Sequence, residues 1–185
     1  MTTPKAISVF EDGRPDGWTP APGFRAQVAP DGGTRLVISV PPEQLRAVHV
    51  ALLAVLGARI SVRYLQLTDR SVGQLEKPVS WVCMDVPAAD VVAALGASPR
   101  LTWEDARHQL WVRGEKGDQV VLDELGVLYT YPDDVAFRAA LEPFGLPLGA
   151  TLGLDGRDYV RVEFLADADR EEAALIERLG LRRVG

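Results

Sequence analysis

One unit recurs four times along this chain, and it limits the folds open to it. A short β-rich run is followed by an acid, an amphipathic helix and a glycine: LVISV-PPEQLRAVHVALLAVLG, WVCMDV-PAADVVAALG, VLYTY-PDDVAFRAALEPFG and VRVEF-LADADREEAALIERLG. Each part has a physical cause. Val, Ile, Tyr, Phe and Trp suit a pleated, half-buried surface. Pro41, Pro87 and Pro132 end a strand, and a proline is tolerated in a first helical turn, where its missing N–H costs nothing. Glu43, Asp90, Asp133 and Asp169 stand where a carboxylate complements the positive end of the helix dipole. Gly57, Gly96, Gly145 and Gly180 follow the last apolar residue of each helix, where a left-handed cap favours glycine.

Read in order, the units predict an α+β fold with tandem βαββαβ (ferredoxin-like) repeats. Residues 1–33 form an N-terminal extension, with a strand over 6–10 and then a long loop pinned by Trp18 and Phe24. The first repeat spans 34–105, with strands over 34–40, 58–67, 79–86 and 100–103 and helices over 42–56 and 88–95. A slip in alternation at Tyr64–Leu65 predicts a bulge there. A connecting hairpin over 106–125 supplies strands over 109–113 and 119–123. With a strand over 127–131 these predict a three-stranded meander. The second repeat spans 126–185, with strands over 127–131, 148–154, 159–164 and 181–184, helices over 133–144 and 169–179, and a tight-hairpin signal at Asp155-Gly156.

The stretch ISVPPEQLRAVHVALLAVLGARISVRYLQL, continued by VSWVCMDVPAADVVAALG, resembles ACT-type regulatory modules in element order and helix-to-strand spacing. That resemblance implies a small-ligand regulatory module built from paired ACT-like repeats. ACT modules usually carry an Asp-x-Pro-Gly-type turn before the first helix; here Val40-Pro41-Pro42-Glu43 replaces it. The stretch VVLDELGVLYTYPDD is similar to hairpin-then-helix segments of small immunity-like proteins.

Composition bounds the function classes. An apolar fraction of 47% and a charged fraction of 25% are those of a globular chain. The longest apolar run, 47–58, is interrupted by His49 and too short to span a bilayer. The N-terminus lacks the apolar core of a signal peptide. Cys83 is the only cysteine, so no intrachain disulfide forms, and a cytoplasmic setting is expected. The net charge is −6; residues 34–105 carry seven acids and seven bases, whereas 126–185 carry eleven acids and seven bases. Such a chain lacks the basic footprint of a nucleic-acid binder and suits a basic protein partner.

Catalytic motifs are sparse. No phosphate loop, dinucleotide fingerprint or Gly-x-Ser-x-Gly elbow occurs, and two distant histidines with one cysteine do not make a zinc set. No catalytic residue, metal ligand or cofactor is therefore assigned. Helix 42–56 is apolar nearly all round, so it is expected in the core, with Leu52 as an anchor, or at a homodimer contact. His49 borders its apolar stripe and is expected to be a hydrogen-bonded structural histidine. His108 is expected in a solvated turn, with Glu104 one helical turn before it as a weak acid–base pair. Cys83 is expected to be a buried, inert thiol. Trp111, Tyr129 and Tyr131 lie on neighbouring meander strands and run into Asp133 and Asp134. Aromatics beside acids make a plausible hot spot for a basic protein partner. The expected function is a non-enzymatic, cytoplasmic binding protein of the immunity or inhibitor type. The alternatives are the ACT-like ligand module and an enzyme with a carboxylate site around Asp123, Glu124, Asp133 and Asp134.

Overall fold

The structure is a computed structural model that describes residues 2–29, 32–149 and 156–184. It is an α+β fold in which the main sheet is antiparallel throughout its described ladders. The strands are β1 (Ala6–Ser8), β2 (Gly23–Val28), β3 (Thr34–Ser39), β4 (Arg59–Asp69), β5 (Gly73–Pro87), β6 (His108–Gly114), β7 (Gln119–Leu122), β8 (Leu128–Tyr131), β9 (Tyr159–Arg161) and β10 (Arg182–Val184). The helices are α1 (Pro42–Val55), α2 (Ala88–Gly96), α3 (Pro99–Glu104), α4 (Val135–Leu141) and α5 (Ala168–Leu179). Eight strands form one sheet in the order β10-β5-β4-β6-β7-β8-β3-β2, and β1 pairs with β9 in a separate ribbon.

The expected meander is present as β6-β7-β8. The strand order otherwise departs from two separate βαββαβ units. The stretch at 100–103 is helix α3, because Ser98-Pro99 starts a helix with proline in its first turn. Strand β3 pairs with β2 and β8 rather than with β5, and β10 from the far end of the chain adds to β5. Strand β2 falls inside the expected N-terminal loop. Its alternation of Phe24 and Ala26 against Arg25 and Gln27 is the period-two signal that marks it. Helix α4 starts at Val135 rather than 133. The ladder irregularities of β4 fall at Ile60/Val62 and Gln66/Thr68, not at Tyr64–Leu65. The expected strand over 148–154 and the signal at 155–156 fall largely outside the described residues.

Alternation along the strands sorts the core. Inward positions carry Leu36 and Ile38 on β3, Ile60, Val62 and Tyr64 on β4, Leu110 and Val112 on β6, Val120 and Leu122 on β7 and Leu128 on β8. They pack against Leu45, Val48, Leu52 and Leu53 of α1, Val91 and Leu95 of α2, Phe137 of α4 and Leu175 of α5. Leu52 is fully buried in this cluster, so α1 is a core helix. The helices contact one another as a layer, α1 with α2, α3 and α4, and α5 with α2 and α3. They therefore cover one face of the sheet. Gly180 closes α5 in the left-handed conformation expected of it, with φ 59°; Gly96 is instead the last helical residue of α2. Among the described residues, no helix is long and apolar enough to cross a membrane.

Candidate functional site

The second face of the sheet carries the aromatics that the sequence singles out. Cross-strand register aligns Arg25, Val37, Tyr129, Val121, Trp111 and Arg63 in one row, which continues to Val82 and Arg182. The neighbouring row runs Tyr131, Gln119, Arg113 and Ser61, and beyond Tyr131 it extends to the Arg35–Gln27 pair, since Leu36 pairs with Thr130 and Arg35 reaches the Tyr131 hydroxyl. A residue's neighbours point to the opposite face. These side chains therefore share the face away from Leu36, Leu110 and Leu128. Trp111, Tyr129 and Tyr131 are half-buried there, and Arg63, Arg113 and Arg182 are exposed. Val37 and Val127 form a small apolar cluster on this side with Leu125 and Tyr129.

The strand positions in the middle of this face are basic or neutral. The paired stretches 23–28, 34–39, 61–65, 80–82, 109–113, 119–122, 128–131 and 182–184 contain no Asp or Glu. Arg35 is held by neutral groups. Its Nε and Nη2 donate to Gln27 Oε1 at 3.0 and 2.8 Å, and its Nη1 donates to the Tyr131 hydroxyl at 2.6 Å. Its guanidinium lies 4.7 Å from the centre of the Tyr129 ring and 5.7 Å from that of Tyr131. Arg63 likewise donates through Nε and Nη2 to Ser80 Oγ, at 3.0 and 2.8 Å. An open basin of about 610 Å³ lies at one end, lined by Arg35, Trp111, Arg113, Gln119 and Tyr131, with Ala29 and Gly117 at its margin.

Carboxylates reach this face from the β7–β8 turn. Glu124 accepts from Gln109 Nε2 at 2.6 Å, and Asp123 Oδ2 accepts from the Tyr129 hydroxyl at 3.2 Å. Burial pushes the Asp123 pKa up to about 7, and Glu124 adds to the rise; the Val127 and Leu125 N–H groups and Lys5 oppose it. Asp133 and Asp134 are engaged elsewhere. Asp133 forms a two-point ion pair with Arg138, at 2.7 and 2.6 Å, and Asp134 caps α4 by accepting from Ala136 N at 2.7 Å. The structure thus brings Trp111, Tyr129 and Tyr131 together with arginines, while each acid of the expected pair has a local partner. Sequence alone does not single out these arginines, because alternate residues of β3, β4 and β6 share a face only once the strand register is known.

Beneath the helices lies a second polar cluster. Arg107 is buried and donates to Asp105 through Nε and Nη2, both at 3.0 Å, and through Nη1 to Asp169 at 2.5 Å and Glu172 at 3.3 Å. Burial works against its charge, but these carboxylates outweigh it and raise its pKa. Tyr64 donates to Glu172 and stacks on His108, with ring centres 4.8 Å apart. Phe164 lies between Arg70 and Arg107, 4.9 Å from each guanidinium, and has a φ of 58°. The Asp105 carboxylate also accepts from Leu165 N, so the network clamps this loop.

Both histidines are interior. His49 Nδ1 accepts from Trp103 Nε1 at 3.2 Å, as expected of a structural histidine, and burial, with the Lys5 charge, lowers its pKa to about 3. His108 is a fully buried residue of β6, not a solvated turn residue, and α3 ends at Glu104, so the two do not share a helix. The alternation His108, Leu110, Val112 carries the histidine inward. Lys5 is also buried; its Nζ donates to Thr102 O at 3.4 Å. Burial lowers its pKa to about 8, against the pull of Asp123, Asp105 and Glu124. Cys83 is buried on the inner side, and its thiol pKa is raised by that burial. Among the described residues, no group of three or more His, Cys, Asp or Glu side chains is placed to hold a metal ion.

Compared with family models, with curated proteins and with solved structures, the chain matches none.

Proposed function

We propose that this chain works by binding another protein through the uncovered face of its main sheet. One observation carries the reading. The helices are gathered on one face, and the other presents half-buried aromatic rings beside Arg35, held by an amide oxygen and a phenol, and Arg63, held by a serine hydroxyl. A sheet with one covered and one open face ordinarily reads polar outside. Here the open face combines Trp, Tyr and Arg, the residues enriched at binding hot spots. Arg35 is already fixed between Gln27 and two tyrosine rings, so little freedom is lost when a partner docks on it. Asp133 is engaged by Arg138 and Asp134 by the α4 cap, so the reading rests on the meander aromatics and the arginines beside them.

A photo-cross-linking amino acid placed at Gln119, on the open face, tests this in cells of the source organism. The expected result is one discrete adduct that disappears with Trp111→Ala, while the same group at exposed Glu177 on α5 gives none. An adduct from Glu177 alone would move the working surface to the helical layer and end this reading.

A further inference from the structure

We infer that the partner seated on this face is an acidic, extended protein segment whose carboxylates alternate along it; this rests on the reading that the open face is the binding surface. The argument begins with unspent charge. Arg59, Arg70, Arg107 and Arg138 each make an ion pair with a carboxylate of this chain. Arg35 and Arg63 instead spend hydrogen bonds on an amide oxygen and on hydroxyls. A guanidinium has more N–H groups than those bonds use, so each keeps donors and a full positive charge for a ligand. Its planar fork matches a carboxylate through two parallel hydrogen bonds.

Geometry sets the spacing of the acids. Arg35 and Arg113 occupy the same cross-strand row, separated by Tyr131 and Gln119. Three strand spacings put their backbones about 14 Å apart. An extended chain covers roughly that distance in four residues, and residues i, i+2 and i+4 of such a chain point the same way. A segment crossing the strands with acids at i and i+4 therefore reaches both arginines. Its residue i+2 falls into the basin of about 610 Å³ between them, beside Trp111 and Tyr131.

The same features disfavour a nucleic acid. The flat faces of Tyr129 and Tyr131 carry Arg35, so they are not open platforms for bases. A longer polyanion leaving the face meets Glu115 and Asp118 in the β6–β7 turn or Asp123 and Glu124 in the β7–β8 turn, on a chain of net charge −6. A short acidic protein segment ends before these rims.

The full chain is titrated with three probes: a ten-residue peptide of alternating glutamate and alanine, its lysine–alanine counterpart, and a ten-nucleotide oligo-dT. Binding is followed by calorimetry at about 20 and 300 mM salt, the range over which screening of exposed charges changes strongly. The expected result is that the glutamate peptide binds, weakens about tenfold or more with salt, and loses about tenfold or more in Arg35→Gln/Arg113→Gln. That variant should keep its circular dichroism and melting temperature. Preference for the lysine peptide or for oligo-dT, no glutamate-peptide binding at about 1 mM, or binding indifferent to the double substitution would each overturn the inference. The cross-linked adduct at Gln119 separates the two readings. If it survives Arg35→Gln/Arg113→Gln but not Trp111→Ala, the face binds its partner without these arginines, and only the acidic-segment inference fails.

Discussion

Arg107 and Arg35 lie on opposite sides of one sheet and meet opposite fates. Arg107 is buried and surrounded by Asp105, Asp169 and Glu172. Arg35 is half-buried, and its described hydrogen-bond partners are an amide oxygen and a phenol. Taking a guanidinium out of water is costly unless carboxylates and hydrogen bonds surround it. The interior therefore uses its arginine to join α5, the 164–165 loop and β4 through Tyr64 and Glu172. Arg35 can be held by neutral groups because it is only half-buried and water still reaches it. The difference separates charge spent on holding the fold from charge left over for a partner.

The largest effect should come from cutting the interior network. Arg107→Ala strands Asp105 in a buried site and should cost about 3–5 kcal/mol, the usual scale for removing one partner of a buried ion pair. Urea unfolding measures it; a loss below about 1 kcal/mol would erase the contrast with Arg35. Leu52→Ala, in the core beneath the same helical layer, should cost about 2–5 kcal/mol by cavity formation. It should leave the mass on sizing unchanged, because α1 is a core helix.

Acid should distinguish the two sides next. His49 takes up a proton near pH 6.5 when unfolded but only near pH 3 when folded. Its contribution is whole above pH 6.5 and is lost as pH falls toward 3, the loss amounting to about 3 kcal/mol at pH 4. Asp123 acts in the opposite sense: its raised folded pKa of about 7 adds stability as pH falls from 7 towards 4. The histidine part is isolated by comparing His49→Gln with the natural chain at pH 7, 5.5 and 4. The variant should lose its disadvantage progressively as acid is added; parallel stability curves would mean that His49 is not the acid-sensitive group.

The smallest stability effect is expected on the open face. Arg35→Gln or Arg63→Gln should change stability by about 0.5 kcal/mol or less, as surface substitutions usually do. A cost near that of Arg107→Ala would show that these arginines hold the sheet together.

Much of this was open to reading along the chain. Alternation in GFRAQV, TRLVIS and HQLWVR marks strands with one apolar and one polar face, and the stripe Leu45, Val48, Leu52 marks the buried side of α1. Local chemistry likewise located the meander and the internal place of His49 and Cys83, whereas the cap that Asp134 makes on α4 appears only in the structure. These are effects of near neighbours and of period, which a linear sequence carries. Strand order is not of that kind. That β3 lies between β2 and β8, or that β10 closes the sheet beside β5, depends on which long-range pairings bury the most apolar surface, and every hydrophobic strand offers several. The charge around the meander aromatics depends on that order. Summed along residues 126–185 the charge is acidic, yet the sheet gathers Arg35, Arg63 and Arg113 from three strands onto the face that carries Trp111, Tyr129 and Tyr131, while Asp133 and Asp134 find partners within α4. Local charge at a surface is set by which side chains the fold brings together and which it neutralises, and only the tertiary structure decided that.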